Sequence, residues 1–234
     1  MRYTMTPGLY ITGTNTSVGK SHVTRLIARA LVKTGYKVGV YKPVATDCKR
    51  QGTEIVAPDA VKLWEAAGKP GNLEDVCPQK FVAPLAPPSS ARLEGREVDR
   101  ELLRSGLEVW RANSDIVLVE GAGGLLSPMS EEDDNSTLVG ELGYPLMVVA
   151  INELGTINST LLTLLAAKTL LPQIPIAGVV LNRLKLFPDD ESCKTNADEI
   201  ACRTDVPVLA NVNYQQQELK DEVDWFALAS LVNR

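Results

Sequence analysis

A chain of 234 residues that is 44% hydrophobic and 23% charged reads as a globular α/β protein, one domain over 1–234 with a sizeable core. Its 24 Lys and Arg against 29 Asp and Glu leave a formal charge of −5, which removes the electrostatic case for nucleic acid or an anionic membrane and makes any phosphate site local. The N-terminal stretch lacks an apolar signal core, no apolar run reaches the length of a membrane span, and Cys48, Cys77, Cys193 and Cys202 form no close pair, so they are expected to be free thiols in a reducing cytoplasm and not a metal site.

In chain order, the first apolar, β-prone run is 9–12. It leads into Gly13-Thr14-Asn15-Thr16-Ser17-Val18-Gly19-Lys20-Ser21 and then into a helix expected over 21–34. A strand, a glycine loop ending in Gly-Lys-Ser and a helix form the context of a P-loop. Backbone N–H groups of Gly13, Thr14, Asn15, Ser17, Val18, Gly19 and the residues that open the helix would surround phosphate oxygens, and the helix N-terminus adds partial positive charge. Lys20 is placed to reach the outer phosphates and the Ser21 hydroxyl to hold Mg²⁺, so the chain is expected to bind a nucleoside triphosphate. The spacing is unusual: five residues separate Gly13 from Gly19 where the common pattern has four, and Thr14 stands in place of the first glycine. His22, the only histidine, is grouped with the nucleotide-binding residues by its place after Ser21, and with no partner motif it reads as a helix-surface side chain and not a catalyst.

A second strand over 37–43 carries Lys42 to the sheet edge of the P-loop, where it offers a second cation to transferring phosphate; a surface lysine before a turn is the plainer account. Asp59 follows Pro58 at the start of a helix over 59–67 and is either an N-cap or a metal ligand. Residues 84–88, Pro-Leu-Ala-Pro-Pro, read as a rigid loop. After a helix over 100–112, the strand over 115–120 ends in Glu120 and runs into Gly121-Ala122-Gly123-Gly124. An acid ending an apolar strand, before small residues that admit close backbone approach, marks Glu120 as a Mg²⁺ ligand or water-mediated partner, against a solvated strand-end carboxylate.

A helix over 137–142 and a strand over 145–151 follow. Gly155-Thr156-Ile157-Asn158 then opens a helix over 157–171, whose first free N–H groups form a carboxylate site; internal packing with Asn158 as a cap is the alternative. The strand over 176–181 ends at Asn182, whose amide matches the N6/N7 edge of adenine, though alone it is a turn asparagine. A helix over 190–203, a strand over 206–210 and a helix over 224–232 complete the chain. Apolar strands alternating with helices predict an α/β fold of P-loop NTPase type, with a mostly parallel sheet, helices on both faces and ligands beyond the carboxyl ends of the strands.

Six segments in order resemble the dethiobiotin synthetases. They are the variant P-loop at 13–21, Tyr41-Lys42-Pro43-Val44-Ala45, the stretch 81–88, Val119-Glu120-Gly121-Ala122-Gly123-Gly124, Leu154-Gly155-Thr156-Ile157-Asn158, and Gly178-Val179-Val180-Leu181-Asn182-Arg183. The resemblance implies an ATP- and Mg²⁺-dependent cytoplasmic ligase of biotin biosynthesis. In that chemistry one amine of 7,8-diaminononanoate (7,8-diaminopelargonate) takes up CO₂ as a carbamate. The γ-phosphate activates it as a carbamic-phosphoric anhydride, the neighbouring amine attacks, and dethiobiotin, ADP and phosphate form. The substrate supplies both nucleophiles, so positioning and charge stabilisation are the protein's tasks.

The resemblance assigns Thr16, Lys20 and Lys42 to the carbamate and transferring phosphoryl group, Ser21, Asp59 and Glu120 to Mg²⁺, and Thr46 and Gly123 to the diamine region. It further implies a homodimer in which Gly155, Thr156, Ile157 and Asn158 of the neighbouring subunit hold the substrate carboxylate, with Leu161, Leu162, Leu164 and Leu165 leaving apolar area for an interface. Three features depart from the family pattern. Asn15 and Ser17 stand where acids are common, Thr46 replaces a frequent serine, and 211–217 differs from the usual Ile-Pro-containing segment that frames the base. Triphosphate use is therefore better supported than strict choice of ATP. A partitioning ATPase would carry a signature lysine where Asn15 stands, and a basic membrane anchor where the chain reads Asp221-Glu222-Val223-Asp224. A synthetase of the cobyrinate type would add a glutaminase domain, and an inactive or repurposed homologue is the remaining alternative.

Overall fold

The computed structural model describes residues 6–185 and 190–231. Six strands form the central sheet: β1 (Gly8–Gly13), β2 (Val38–Tyr41), β3 (Ile116–Gly124), β4 (Leu146–Ile151), β5 (Ile176–Asn182) and β6 (Val208–Val212). Their order is β6-β5-β4-β1-β3-β2, and every pairing is parallel. All residues of β1 and β2 are buried, which is why these strands are apolar without alternation: both faces are covered. From β1 the chain travels to β2 at one edge; once β3 has filled the gap it crosses to β4, β5 and β6 on the other side. The reversal at β1 opens a crevice beyond the strand ends, and the P-loop enters it.

Four of the helices are α1 (Lys20–Lys33), α2 (Pro58–Ala66), α3 (Asn135–Leu142) and α4 (Thr156–Leu170). All six sequence-predicted strands exist, with ends displaced by a residue or two, except that β3 runs four residues past the expected 120 and takes in residues 121–124. The helix expected over 100–112 is instead two, Arg100–Ser105 and Glu108–Asn113. Buried Tyr41 causes the break: its hydroxyl donates to Leu102 O at 2.6 Å and lies 2.5 Å from where a Cβ on Gly106 would sit, so the chain turns around it. Residues 84–88 are not loop throughout, because Pro87 opens the helix Pro87–Leu93 from a position where its missing N–H costs nothing. α3 starts two residues before the expected 137 because Asp134 caps it, accepting from Thr137 N at 2.9 Å.

The helix expected over 190–203 spans Ser192–Ala201, and the one over 224–232 spans Trp225–Ala229, with position 232 outside the described residues. Residues 1–5 of the N-terminal stretch also lie outside them. Two small sheets carry no apolar run and were not legible: Val44–Ala45 beside Gln79–Lys80, and the hairpin of Lys49–Gln51 with Glu54–Val56. All four cysteines are free, and among the described residues no helix is long and apolar enough to cross a membrane.

The loop entering α3 is tied down by Asp133, a buried carboxylate that accepts from Arg100 Nε at 2.8 Å, Arg104 Nη2 at 3.0 Å and Ser130 Oγ at 2.8 Å. Hydrogen bonds from Arg100, and behind them Arg104 and Ser130, hold this carboxyl well below the usual range against the cost of desolvation. Asp133→Ala is expected to lower unfolding stability by about 1–3 kcal/mol at neutral pH. A depressed pKa stabilises the fold fully above the unfolded value of about 3.9 and ceases to do so as pH falls toward the folded one. The gap between native and Asp133→Ala proteins in urea titrations should therefore narrow below about pH 4. A gap that stays constant would remove the ion pairs as its source.

Candidate active site

The P-loop is shaped by one close contact. Gly19 adopts φ +92°, and a Cβ there would lie 2.0 Å from Asn182 Nδ2. That amide donates to Val18 O at 2.9 Å, so the end of β5 is stapled to the loop. A carbonyl can only accept, which fixes the Asn182 amide orientation and leaves Oδ1 buried and without a protein partner. One backbone donor expected to face phosphate is engaged within the protein, Thr14 N donating to Val149 O at 2.9 Å; Thr16 N is likewise taken, by Asn15 Oδ1 at 2.7 Å. The phosphate cradle is thereby narrowed to the N–H groups nearer the helix start.

Lys20 opens α1 and is buried, with Nζ donating to Asn15 O at 3.3 Å. Burial lowers its pKa to about 8; Glu120 opposes the shift and Lys42 adds to it. Beyond the end of β2, Lys42 Nζ donates to Glu120 Oε1 at 2.5 Å in a buried ion pair. Desolvation works against both charges, but their attraction prevails, holding Lys42 above its ordinary pKa and Glu120 below its own. Ser21 Oγ lies 2.7 Å from the same Glu120 oxygen and 3.1 Å from Asp59 Oδ2. Asp59 caps nothing: the N-cap of α2 is Ala57, and Asp59 stands in the first turn facing Ser21.

These groups line a cavity of about 850 Å³. Thr16, Ser17, Gly19, Lys20, Ser21, His22, Lys42, Thr46, Asp59, Glu120 and Gly123 all contribute to its wall, so residues distant in sequence converge. Gly123 has φ +73°, and a Cβ on it would strike Ser127 Oγ at 2.3 Å. Asn182 and the turn 155–158 do not line this cavity. Asn158 does not cap α4, whose N-cap is Gly155; it is exposed on the first turn.

One serine hydrogen cannot serve two carboxylates at once, and Glu120 Oε2 is buried without a partner. A hydroxyl and two carboxylates form a hard-oxygen donor set that suits Mg²⁺ sharing its shell with phosphates and water. No group of three or more His, Cys, Asp and Glu with metal-binding geometry occurs among the described residues, as expected where substrate oxygens complete the shell.

His22 is half-buried, and Arg25 Nη2 approaches its Nδ1 at 3.3 Å; since a guanidinium only donates, the ring proton resides on Nε2. Burial and then the Arg25 and Arg29 charges lower its pKa, keeping it neutral and making it no acid catalyst. Arg25 itself lines the cavity and was missed, although its place one helical turn after Ser21 signals the shared face. Ser127 and Pro128 also line it, and no sequence pattern marks them.

The chain matches the family model described as an AAA domain over residues 7–221. It is 41% identical to the ATP-dependent dethiobiotin synthetase BioD of Rhodopirellula baltica over 87% of this chain and 82% of that one. The BioD proteins of Thermodesulfovibrio yellowstonii and Bacillus subtilis are 34% and 35% identical, covering 94% and 86% of this chain and 93% and 85% of theirs. Among solved structures, a plasmid partition protein from Borrelia burgdorferi superposes with a TM-score of 0.56 at 14% identity over 97% of both chains. A ParA family ATPase from Chlorobium tepidum gives 0.54 at 16% identity over 91% of this chain and 86% of that one. These two likenesses establish the P-loop NTPase fold alone.

The depressed Lys20 pKa has a measurable consequence. A triphosphate beside the ammonium restores its charge, so nucleotide binding between about pH 8 and 9 should take up a proton, and affinity should weaken as pH rises through that window. Titration calorimetry in two buffers of different ionisation enthalpy reads the uptake, which Lys20→Met should abolish. The same uptake in Lys20→Met would exclude this lysine as its source.

Proposed function

The chain belongs to the ATP-dependent dethiobiotin synthetase family, and we infer that it catalyses the ATP-dependent carboxylation and ring closure of 7,8-diaminononanoate to dethiobiotin in biotin biosynthesis. The observation that carries the site assignment is the convergence of Lys20 and Lys42 with Ser21, Asp59 and Glu120 on one cavity. Such a site has cations for a transferring phosphoryl group and no nucleophile–histidine pair, which fits a reaction whose substrate brings its own nucleophiles.

In this assignment Lys42 stands charged beside the carbamate and phosphoryl oxygens because Glu120 holds its proton. Lys20 regains its charge as the triphosphate arrives and faces the γ-phosphate. Thr16 donates to the same oxygens, and Thr46 and Gly123 border the diamine. Ser21, Asp59 and Glu120 would hold Mg²⁺, which supplies charge neutralisation of the triphosphate. Asn182 would meet the base through Oδ1, the amide atom without a protein partner, although it lies off the wall of this cavity. Residues 1–234 act as one catalytic domain in the cytoplasm. The partitioning reading is not favoured: the curated relatives are dethiobiotin synthetases, and Asn15 occupies the place of that family's signature lysine.

The test is turnover with the diamine, bicarbonate and Mg-ATP, with dethiobiotin identified by mass. ATP hydrolysis indifferent to the diamine would overturn the assignment. Within that assay Asp59→Asn should retain the native melting temperature and need far more Mg²⁺ for half-maximal rate, because the carboxylate charge is lost while α2 keeps its Ala57 cap. An unchanged Mg²⁺ requirement would remove Asp59 from the metal site.

The working unit is a homodimer with composite sites. The turn 155–158, with Gly155 and Asn158 exposed and Thr156 buried, does not line its own cavity, and Leu154, Leu162 and Leu165 are 85%, 57% and 63% exposed, an apolar surface beside that turn. Mixing Lys20→Ala protein with an Asn158 variant defective in diamine binding should restore activity, since one site of each mixed dimer would be intact. Absence of recovery despite demonstrated subunit exchange would sink the composite site.

A further inference from the structure

The strap formed by the last four residues of β3, 121–124, lines the cavity through Gly121, Ala122 and Gly123 on one side and rests on a buried amide on the other. That amide belongs to Asn135, the first residue of α3, which is wholly buried and touches nothing in the cavity. Its Nδ2 donates to Ala122 O and Gly124 O, both at 2.8 Å, with Ser127 O sharing at 3.2 Å. Its Oδ1 accepts from the hydroxyl of Tyr10, also wholly buried, at 2.8 Å. The side chain cannot retreat, because Oδ1 lies 2.1 Å from where a Cβ on Gly121 would stand, a space left open only by glycine.

We propose that Asn135 is a positioning residue for the diamine half-site, acting through the strap backbone; this rests on the assignment of Gly123 to the diamine region. The physical link is the planar trans peptide, in which C=O and N–H point opposite ways. Drawing Ala122 O inward onto Asn135 turns the Gly123 N–H outward, away from the buried side. Gly124 N is occupied by Ser127 Oγ at 2.8 Å, so the strap cannot re-pair by a simple peptide flip. Tyr10 sits on β1, which runs on into the P-loop, so the Tyr10–Asn135 bond references the diamine wall to the strand that also sets the phosphate loop. Side chains of one rigid core residue and one helix start thereby fix the spacing between the two halves of the cavity.

The experiment uses the full chain as Asn135→Ala and as Tyr10→Phe, which removes only the hydroxyl that anchors Oδ1. Hydrogen exchange read by mass spectrometry should show the peptide covering 121–124 exchanging at least about tenfold faster in Asn135→Ala, with the 13–21 peptide unchanged. In turnover, the KM for the diamine should rise ~10- to 100-fold while that for ATP stays within about twofold; Tyr10→Phe should shift the same constant by less. A merely structural role would loosen both peptides and move both constants together, and that result, or a folded Asn135→Ala protein with a native diamine KM, would overturn the proposal. Should Asn135→Ala fail to fold, Tyr10→Phe decides by the same split. If the native chain does not turn over the diamine, the functional assignment fails by itself, and the exchange comparison still judges the clamp: selective loss of strap protection upholds it and equal exchange removes it.

Discussion

The buried pair of Lys42 and Glu120 is the constraint around which the site is organised. Neither charge is tolerable alone at its depth, since removing one partner leaves the other desolvated and uncompensated. The pair therefore ties the residue after β2 to the middle of β3, and Glu120 in turn receives Ser21 from the start of α1. Three elements meet at one carboxylate. Its second oxygen is left buried without a protein partner, an incompleteness that no apolar substitute would provide.

The sheet order makes this meeting possible. β1 lies between β3 and β4, with β2 one strand further, so the loops after β1, β2 and β3 emerge side by side. The parallel arrangement points all of them to the same end, and Asp59, in the first turn of α2, reaches Ser21 because α2 packs against α1. The position of Lys42 is further secured from behind, where its backbone N–H donates to Val76 O at 2.7 Å.

What the sequence made legible follows from what leaves a pattern. Strands buried on both faces are apolar runs, and all six stand out; the Gly-Lys-Ser turn between strand and helix is a motif whose chemistry is local. Asp59 was ambiguous because capping and ligation call for the same residue at the same helical position, and only the facing of its carboxylate toward Ser21 separates them. The split near Gly106 depends on a tyrosine sixty-odd positions earlier, a tertiary override that no window of sequence contains. Thr14 looked like a phosphate donor because motif reading counts N–H groups without knowing which a neighbouring strand already uses. Asn135 left no signal in the sequence because its amide donates to backbone carbonyls, which have no sequence identity at all.

The cavity wall is unevenly open to change over evolutionary time. Along the P-loop and the strap that ends β3 the surface is largely main chain, and several glycines there have no room for a side chain. Drift at those positions can break the enzyme but cannot retune it, because an amide presents the same dipole whatever residue bears it. Side-chain variation that reshapes the cavity falls instead to lining positions such as Thr46, Leu85 and Arg25. A laboratory effort to admit a longer or bulkier diamine would find its variable positions there, with the backbone-lined wall serving as the fixed die against which each new shape is cast.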